Sequence, residues 1–191
     1  GTLTAAAMYT NCGGCQGHQP YWVSQGSGAT VAQIGAAANG NSVDANGNLL
    51  YQFQVTQGSL EYNTKLMGYL PFMAFAEYAE NSQASNGQKS AYTAGLQLGK
   101  ASDKGSWEVG YAYERLEKDS YFGQFVDSDF GAGNTNTKGH IVRVGYAPMK
   151  NWTLSATYFS NSLNIWGAAD PVKSPHDENY RRLQLDFVVK Y

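Results

Sequence analysis

The last twelve residues of the chain alternate apolar and polar side chains and end on an aromatic residue. Neighbouring side chains of a β-strand point to opposite faces, so each set shares one face. The apolar set is Leu183, Leu185, Phe187, Val189 and Tyr191, and the polar set is Arg182, Gln184, Asp186 and Lys190. The alternation recurs along the chain with aromatic residues on the apolar side. This pattern is typical of strands between lipid and water, and it predicts an all-β, transmembrane, antiparallel up-and-down β-barrel.

Composition agrees with a single domain, residues 1–191, made of strands and turns. The chain is 14% aromatic and 15% charged, with 22 glycines and 5 prolines. No apolar run approaches the roughly 18 residues that a membrane-spanning helix needs. The mean hydropathy of -0.42 is uninformative, because every second residue of a barrel strand is polar. The formal net charge of -2 gives no basic surface, so we expect no nucleic-acid partner.

The connections between the predicted strands alternate in length, which predicts a topology. About eight strands lie near residues 3–10, 49–65, 71–81, 90–100, 105–116, 138–147, 151–162 and 179–191. Long loops rich in Gly, Asn, Ser and Asp occupy about 11–48, 82–89, 117–137 and 163–178. Barrels of this type place short turns in the periplasm and long loops outside the cell, so we expect both termini to be periplasmic. A change of phase in the second strand predicts a β-bulge at Gly58.

Aromatic residues near the strand ends predict two belts at the membrane interfaces, with outer-membrane lipids as partners. The belt near the short turns comprises Trp107, Tyr146, Trp152 and Tyr191, and the belt near the long loops comprises Tyr92, Tyr113 and Tyr158.

Several segments of the chain resemble the bacterial outer-membrane proteins of the Putative porin family. They are Gly58-Ser59-Leu60-Glu61-Tyr62, Phe75-Ala76-Glu77-Tyr78, Tyr113-Glu114-Arg115-Leu116-Glu117-Lys118-Asp119-Ser120, Phe125-Val126-Asp127-Ser128-Asp129-Phe130-Gly131, Gly145-Tyr146-Ala147-Pro148 with Asn151-Trp152-Thr153-Leu154, and Leu183-Gln184-Leu185-Asp186-Phe187. The resemblance implies a porin of a Gram-negative outer membrane, through which ions and small polar solutes diffuse passively. It also implies that the barrel assembly machinery recognises the C-terminal strand with its terminal aromatic. Many general porins are trimers, so a homo-oligomer is possible, and the sequence does not decide the oligomeric state.

The number of strands decides whether such a barrel contains a pore. Family members are usually longer, which implies that this chain is a C-terminal half and that its strands belong to a barrel of about sixteen. Many predicted inward positions are small, and they would underfill a closed eight-stranded barrel. They are Ala6, Gly95, Gly99, Gly110, Ala112, Gly145, Ala147 and Ser155. The alternative is a complete small barrel without a pore, serving as an outer-membrane anchor, adhesin or partner-binding scaffold.

Charged residues at inward positions are the candidate pore-lining residues. Acidic residues fall on the second to fifth strands, and mainly basic residues fall on the sixth and eighth. The set is Glu61, Glu77, Glu108, Glu114, Arg143, Arg182, Asp186 and Lys190. In a wide pore they would create a transverse field that acts on ions and polar solutes. In a narrow barrel the same groups would pair across the interior as salt bridges.

The loops hold the remaining candidate sites. Asp127 and Asp129 belong to a segment that is either a constriction loop folded inward or a calcium site. Their spacing lacks the acidic series of a calcium loop, so an ordinary Asx-rich turn is favoured and we expect no metal. Cys12 and Cys15 predict a small disulfide, because external loops lie in an oxidising compartment. Three scattered histidines and no nucleophile motif indicate that the chain is not an enzyme and has no cofactor.

Overall fold

The computed structural model describes residues 1–20, 30, 37–165 and 178–190. Within these residues the chain forms eight strands: β1 (Thr2–Cys12), β2 (Phe53–Leu66), β3 (Leu70–Asn81), β4 (Ser90–Gly99), β5 (Trp107–Leu116), β6 (Thr137–Tyr146), β7 (Trp152–Leu163) and β8 (Glu178–Val189). Tyr191 and most of the predicted loop 163–178 lie outside the described residues. No helix in the described part of the chain is long and apolar enough to cross a membrane.

The strands pair in the order β1-β2-β3-β4-β5-β6-β7-β8, each antiparallel to the next. Short turns reverse the chain after β2, β4 and β6, where Gly68, Gly105 and Asn151 supply backbone φ angles of 81°, 83° and 67°. Glycine and asparagine adopt this left-handed conformation more readily than other residues. The predicted all-β antiparallel sheet of eight strands is confirmed. The sheet is open, with β1 and β8 at its edges and no ladder joining them among the described residues.

The predicted bulge at Gly58 is wrong. The ladder between β1 and β2 runs from Thr2↔Asn63 to Cys12↔Phe53 in one continuous register, and the ladder between β2 and β3 is equally regular. The apolar residues of β2 change face because Phe53 and Val55 are buried under the loops, at 1% and 2% exposure. The apolar residues of β2 therefore change phase because the loops cover one face at the start of the strand, whereas the opposite face is the apolar one further along.

The sheet has one exposed apolar face, because residues paired across neighbouring strands lie on the same side. One row crosses five strands through Leu96, Tyr111, Val142, Tyr158 and Leu183, and each of these side chains is exposed. Neighbouring rows have the same character. Their exposed members include Leu60, Val109, Val144, Leu154, Leu185 and Phe187. A continuous exposed apolar surface is typical of contact with a membrane or a partner protein. We call it the apolar face.

The opposite side of the sheet is called the charged face. It carries Glu61, Glu77, Glu108, Glu114, Arg143, Arg182 and Asp186, together with small and polar residues. One of its rows runs from Glu77 through Thr93 and Glu114 to Gly139 and Asn161.

The hydrophobic core lies at one end of the charged face, where the long connections fold over it. The strands contribute Phe53, Val55, Ala79, Ala91, Leu116 and Phe159, and the connections contribute Cys15, Ala38, Leu49, Phe122 and Phe130. The rings of Phe53 and Phe122 are 5.5 Å apart. The described loop residues 37–52, 82–89 and 117–136 are called the loop cap. Burial of these apolar side chains holds the loop cap against the strands.

Candidate functional site

The connection between β5 and β6, residues 117–136, is attached to the charged face at two distant points. The Asp129 carboxylate forms an ion pair with Arg182 of β8, with Oδ1 and Nη1 2.8 Å apart. The Tyr121 hydroxyl donates a hydrogen bond to the side-chain oxygen of Gln57 on β2. Because β2 and β8 lie toward opposite edges of the sheet, this loop spans the charged face.

A buried carboxylate joins the loop to the neighbouring connections. Asp119 is fully buried and accepts hydrogen bonds from the backbone N–H of Ser42 at 2.8 Å and its hydroxyl at 2.6 Å. It also accepts one from the side-chain amide of Asn86 at 2.7 Å. Hydrogen bonds to an ionised acceptor are stronger than those between neutral groups. Asp119 therefore connects three separate segments of the loop cap.

Asn41 makes a second set of cross-links in the loop cap. Its side-chain N–H groups donate to the carbonyls of Lys118 and Tyr121, both at 2.8 Å. Its side-chain oxygen accepts from the backbone N–H of Gly123 at 2.7 Å. Burial lowers the pKa of Lys118. Since Asn41 satisfies three backbone groups of the loop 117–136, it fixes the path of this loop over the sheet.

One glycine is required where two parts of the loop cap meet. Gly40 has a φ angle of 88°, and the carbonyl oxygen of Thr135 lies 2.5 Å from the position that a Cβ atom would occupy. Any larger residue would meet both a strained backbone and a steric clash.

An acidic group of side chains lies under the loop near β3 and β5. Glu77 accepts a hydrogen bond from the side-chain amide of Gln57 at 2.6 Å. Glu77, Thr93, Glu114 and Tyr121 line a small cavity of about 110 Å³. Desolvation, and then the nearby carboxylates, raise the pKa of Tyr121 to about 12. Tyr121 is therefore a neutral hydroxyl donor at ordinary pH.

Two basic residues of the charged face have acidic partners. Arg143 Nε lies 3.5 Å from Glu108 Oε1 on the adjacent strand. On β8, Gln184 lies between Arg182 and Asp186, with its oxygen 3.5 Å from Arg182 Nη2 and its nitrogen 3.2 Å from Asp186 Oδ1. An amide can bridge a cation and an anion, because it carries both an acceptor and a donor.

The structure places all the strand-borne candidate residues on the charged face and brings some of them together. It pairs Arg143 with Glu108 and Arg182 with the loop residue Asp129. Glu61 instead accepts from Asn63 at 2.6 Å. Lys190 follows β8 and donates its backbone N–H to Asn151 at 2.9 Å. The pore-lining role of these residues stays a prediction.

Sequence reasoning missed Gln57 and Tyr121. The alternation of β2 contained the signal for Gln57, since it shares a face with Glu61. Tyr121 lies in a loop without periodicity, so no sequence pattern could indicate its contact.

The other loop candidates have local partners. Asp127 accepts a hydrogen bond from the backbone N–H of Asp129 at 2.9 Å, which is the geometry of an Asx turn. No group of three or more His, Cys, Asp or Glu side chains that could hold a metal occurs in the described ranges. Cys12 and Cys15 are joined as a disulfide, with Cα atoms 5.9 Å apart.

Three of the four aromatic residues predicted for the belt near the short turns lie on the apolar face. Trp107 pairs with Tyr146 across β5 and β6. Trp152 packs edge to face against Phe187, with ring centroids 5.2 Å apart. The fourth, Tyr191, lies outside the described residues.

The fold and its charged face define an all-β sheet protein whose two faces suit environments of opposite polarity. A family model described as Putative porin matches residues 25–173, and the chain belongs to this family. Membership implies an outer-membrane location and points to a channel or structural role without catalysis. No curated protein and no solved structure matches the chain.

Proposed function

We propose that the protein is an outer-membrane porin of a Gram-negative bacterium, in which ions and small polar solutes diffuse passively through a water-filled barrel. One observation carries the proposal: the loop 117–136 is anchored across the charged face through Asp129 and Arg182, while the opposite face is apolar and exposed. A loop that lies across the lumen side of the wall narrows a channel without blocking it. Family membership supports the same function and a role without catalysis.

We further propose that the eight strands are part of the wall of a larger barrel of about sixteen strands. The sheet is open, and the side chains of β1 are exposed on both faces along most of its length. Unpaired strand edges are not tolerated in hydrocarbon, because each free N–H or C=O costs several kcal/mol. Additional strands would pair with β1 and β8. The short turns would face the periplasm, as would both termini of the chain.

The charge distribution produces an electric field across the lumen of the proposed channel. Acidic side chains lie on β2, β3 and β5, and the basic Arg143 and Arg182 lie on β6 and β8, where Asp186 is also found. Opposed charged walls orient dipolar solutes and influence which ions pass. The loop adds Asp127 and Asp129 to the constriction.

Swelling of proteoliposomes tests the proposed function. Vesicles that contain the full-length protein are diluted into isotonic solutions of neutral sugars of increasing size. We expect fast swelling with small sugars and slower swelling as the sugar approaches the channel width. Vesicles with folded, inserted protein that swell no faster than protein-free vesicles would overturn the proposal. That result would favour the small barrel without a pore, acting as an anchor, adhesin or scaffold.

The intact mass of the protein extracted from outer membranes separately tests the larger barrel. We expect about twice the 20.7 kDa of this chain. A mass equal to that of this chain would contradict it, unless several copies share one barrel, which cross-linking in the membrane would detect.

A further inference from the structure

Four basic side chains meet at the loop end of the apolar face, on the side of the sheet away from the proposed lumen. Arg115 and Lys138 are direct partners across β5 and β6. His140 and Arg181 both belong to the adjacent row, in which each is the partner of Ser160. The cluster therefore spans β5 to β8 across two neighbouring rows of the sheet.

The charges of this cluster are not balanced on its own face. Every outward position of β5 to β8 in the described chain is free of Asp and Glu, because the acids of these strands lie on the charged face. Like charges directly opposite each other destabilise a strand pair unless a counter-charge is present. Arg115 lies 3.5 Å from Glu117 in the adjoining loop. No described residue forms an ion pair with Lys138, His140 or Arg181.

Three of the four basic residues, Lys138, His140 and Arg181, line a cavity that is rich in hydrogen-bond donors. It has a volume of about 360 Å³ and is lined by Tyr113, Lys138, His140, Ser160, Ser162 and Arg181. An ammonium, a guanidinium and two serine hydroxyls are the groups that bind phosphate oxygens in proteins.

Two of the lining side chains are held in place by the sheet. Arg181 Nη1 donates to the carbonyls of Asn161 at 3.2 Å and Tyr180 at 3.0 Å. The guanidinium has five N–H groups, so donors remain for a ligand. His140 Nδ1 is 2.8 Å from the hydroxyl of Tyr111, and its ring packs edge to face against Tyr113 with centroids 5.2 Å apart.

We propose that this cavity binds the phosphate group of a phosphorylated glycolipid in the outer leaflet. The apolar face continues directly from the cavity through Val142, Tyr158 and Leu183, which provides a surface for acyl chains beside the phosphate site. An amphipathic ligand fits this combination, whereas free phosphate would use only the polar part. The orientation of the ligand rests on the proposed function, because that function places the long loops outside the cell.

Native mass spectrometry of the full-length protein in detergent, titrated with bisphosphorylated lipid A, tests the site. The double variant Lys138→Gln and Arg181→Gln removes both unpaired cations of the cavity. We expect its affinity for lipid A to fall about tenfold or more. The control Lys104→Gln and Lys150→Gln removes the same charge at the short-turn end, where both residues are exposed, and we expect no change.

Three results would overturn the proposal. They are equal binding of lipid A by the cavity variant and the wild type, equal binding of dephosphorylated and phosphorylated lipid A by the wild type, and complete competition by inorganic phosphate at the concentration of lipid A. If the double variant does not fold, Lys138→Gln alone provides the same comparison with a smaller loss. Solute passage by the wild type is measured separately, so failure of the porin function is distinguishable from failure of the lipid site.

Discussion

At the scale of single residues, a few buried polar side chains decide where the loop 117–136 lies. Asp119 accepts hydrogen bonds from two other segments of the loop cap, and Asn41 donates two to the loop 117–136. Such groups are well suited to fix one arrangement, because an alternative arrangement would leave a buried charge or amide without partners. The position of the proposed constriction therefore depends on side chains that do not face the pore.

Replacing Asp119 by alanine should loosen the loop cap. The substitution removes three hydrogen bonds to a buried carboxylate and leaves the N–H of Ser42 without a partner, which costs about 3 kcal/mol. We expect hydrogen-exchange protection of the Ser42 amide to fall about a hundredfold. Asp103→Ala, at an exposed position in a short turn, should leave protection unchanged. Equal protection in the Asp119 variant and the wild type would show that this network does not hold the loops.

Tyr121 should make stability dependent on pH in alkaline solution. Burial raises the pKa of Tyr121 from 10.0 to about 12, so the folded state keeps a proton that the unfolded state loses. The contribution is complete below pH 10 and disappears as the pH rises toward 12. We expect the wild type to lose about 1 kcal/mol more than Tyr121→Phe between pH 9 and 11.5, since a half-buried side chain is partly screened.

The measurement for Tyr121 is the urea midpoint of unfolding at the two pH values. Tyr69→Phe changes an exposed tyrosine in a short turn and should behave as the wild type. Parallel loss of stability in the wild type and Tyr121→Phe would contradict the assignment.

At the scale of strands, the sequence predicts the sheet well and the loops poorly. Alternation predicts all eight strands, because each strand separates an apolar environment from a polar one. It fails at Phe53 and Val55, whose apolar side chains lie on the charged face under the loop cap. The contact of Asp129 with Arg182 has no sequence signal, because it joins an irregular loop to a strand that is not its neighbour along the chain.

Adjacent residues of β4 should differ in their tolerance of arginine. Leu96 is 43% exposed on the apolar face, and Gln97 lies on the charged face, where its amide is 3.4 Å from Glu108. An arginine facing lipid costs about 2 kcal/mol or more, whereas one facing the lumen costs little. We expect Leu96→Arg to fold into lipid vesicles with a lower urea midpoint, and Gln97→Arg to match the wild type. Similar midpoints for the two variants would contradict the assignment of the faces.

Removing the ion pair between Arg182 and Asp129 should release the loop from β8. We expect Arg182→Gln to give a larger and noisier single-channel current, and Asp129→Asn to have the same effect. The double variant should add nothing further, because both changes break one interaction.

Arg143→Gln is the matched control for the loop. It removes the same charge from the charged face, but Arg143 pairs with Glu108 of the wall. We expect it to alter ion selectivity without added noise. If Arg182→Gln and Arg143→Gln behave alike, the ion pair does not hold the loop.

At the scale of the whole molecule, the opposite polarity of the two faces and the open edges of the sheet both support the proposal that the sheet is part of the wall of a membrane barrel. The apolar face and the charged face lie on opposite sides of a single sheet, which suits a wall between lipid and water. The backbone groups at the edges of β1 and β8 must find partners if this wall lies in a membrane, and in the proposed larger barrel further strands supply them. The loop cap covers one end of the charged face, so in the proposed channel it would restrict passage from that side.

Single-channel recording in planar lipid bilayers is the measurement that tests the porin function most directly. The full-length protein, shown to be folded, is added to one side of the bilayer under a small applied voltage. We predict discrete current steps that are proportional to voltage. We also predict that the Arg143→Gln channel differs from the wild type in ion selectivity. Insertion of folded protein without any current steps would contradict the account.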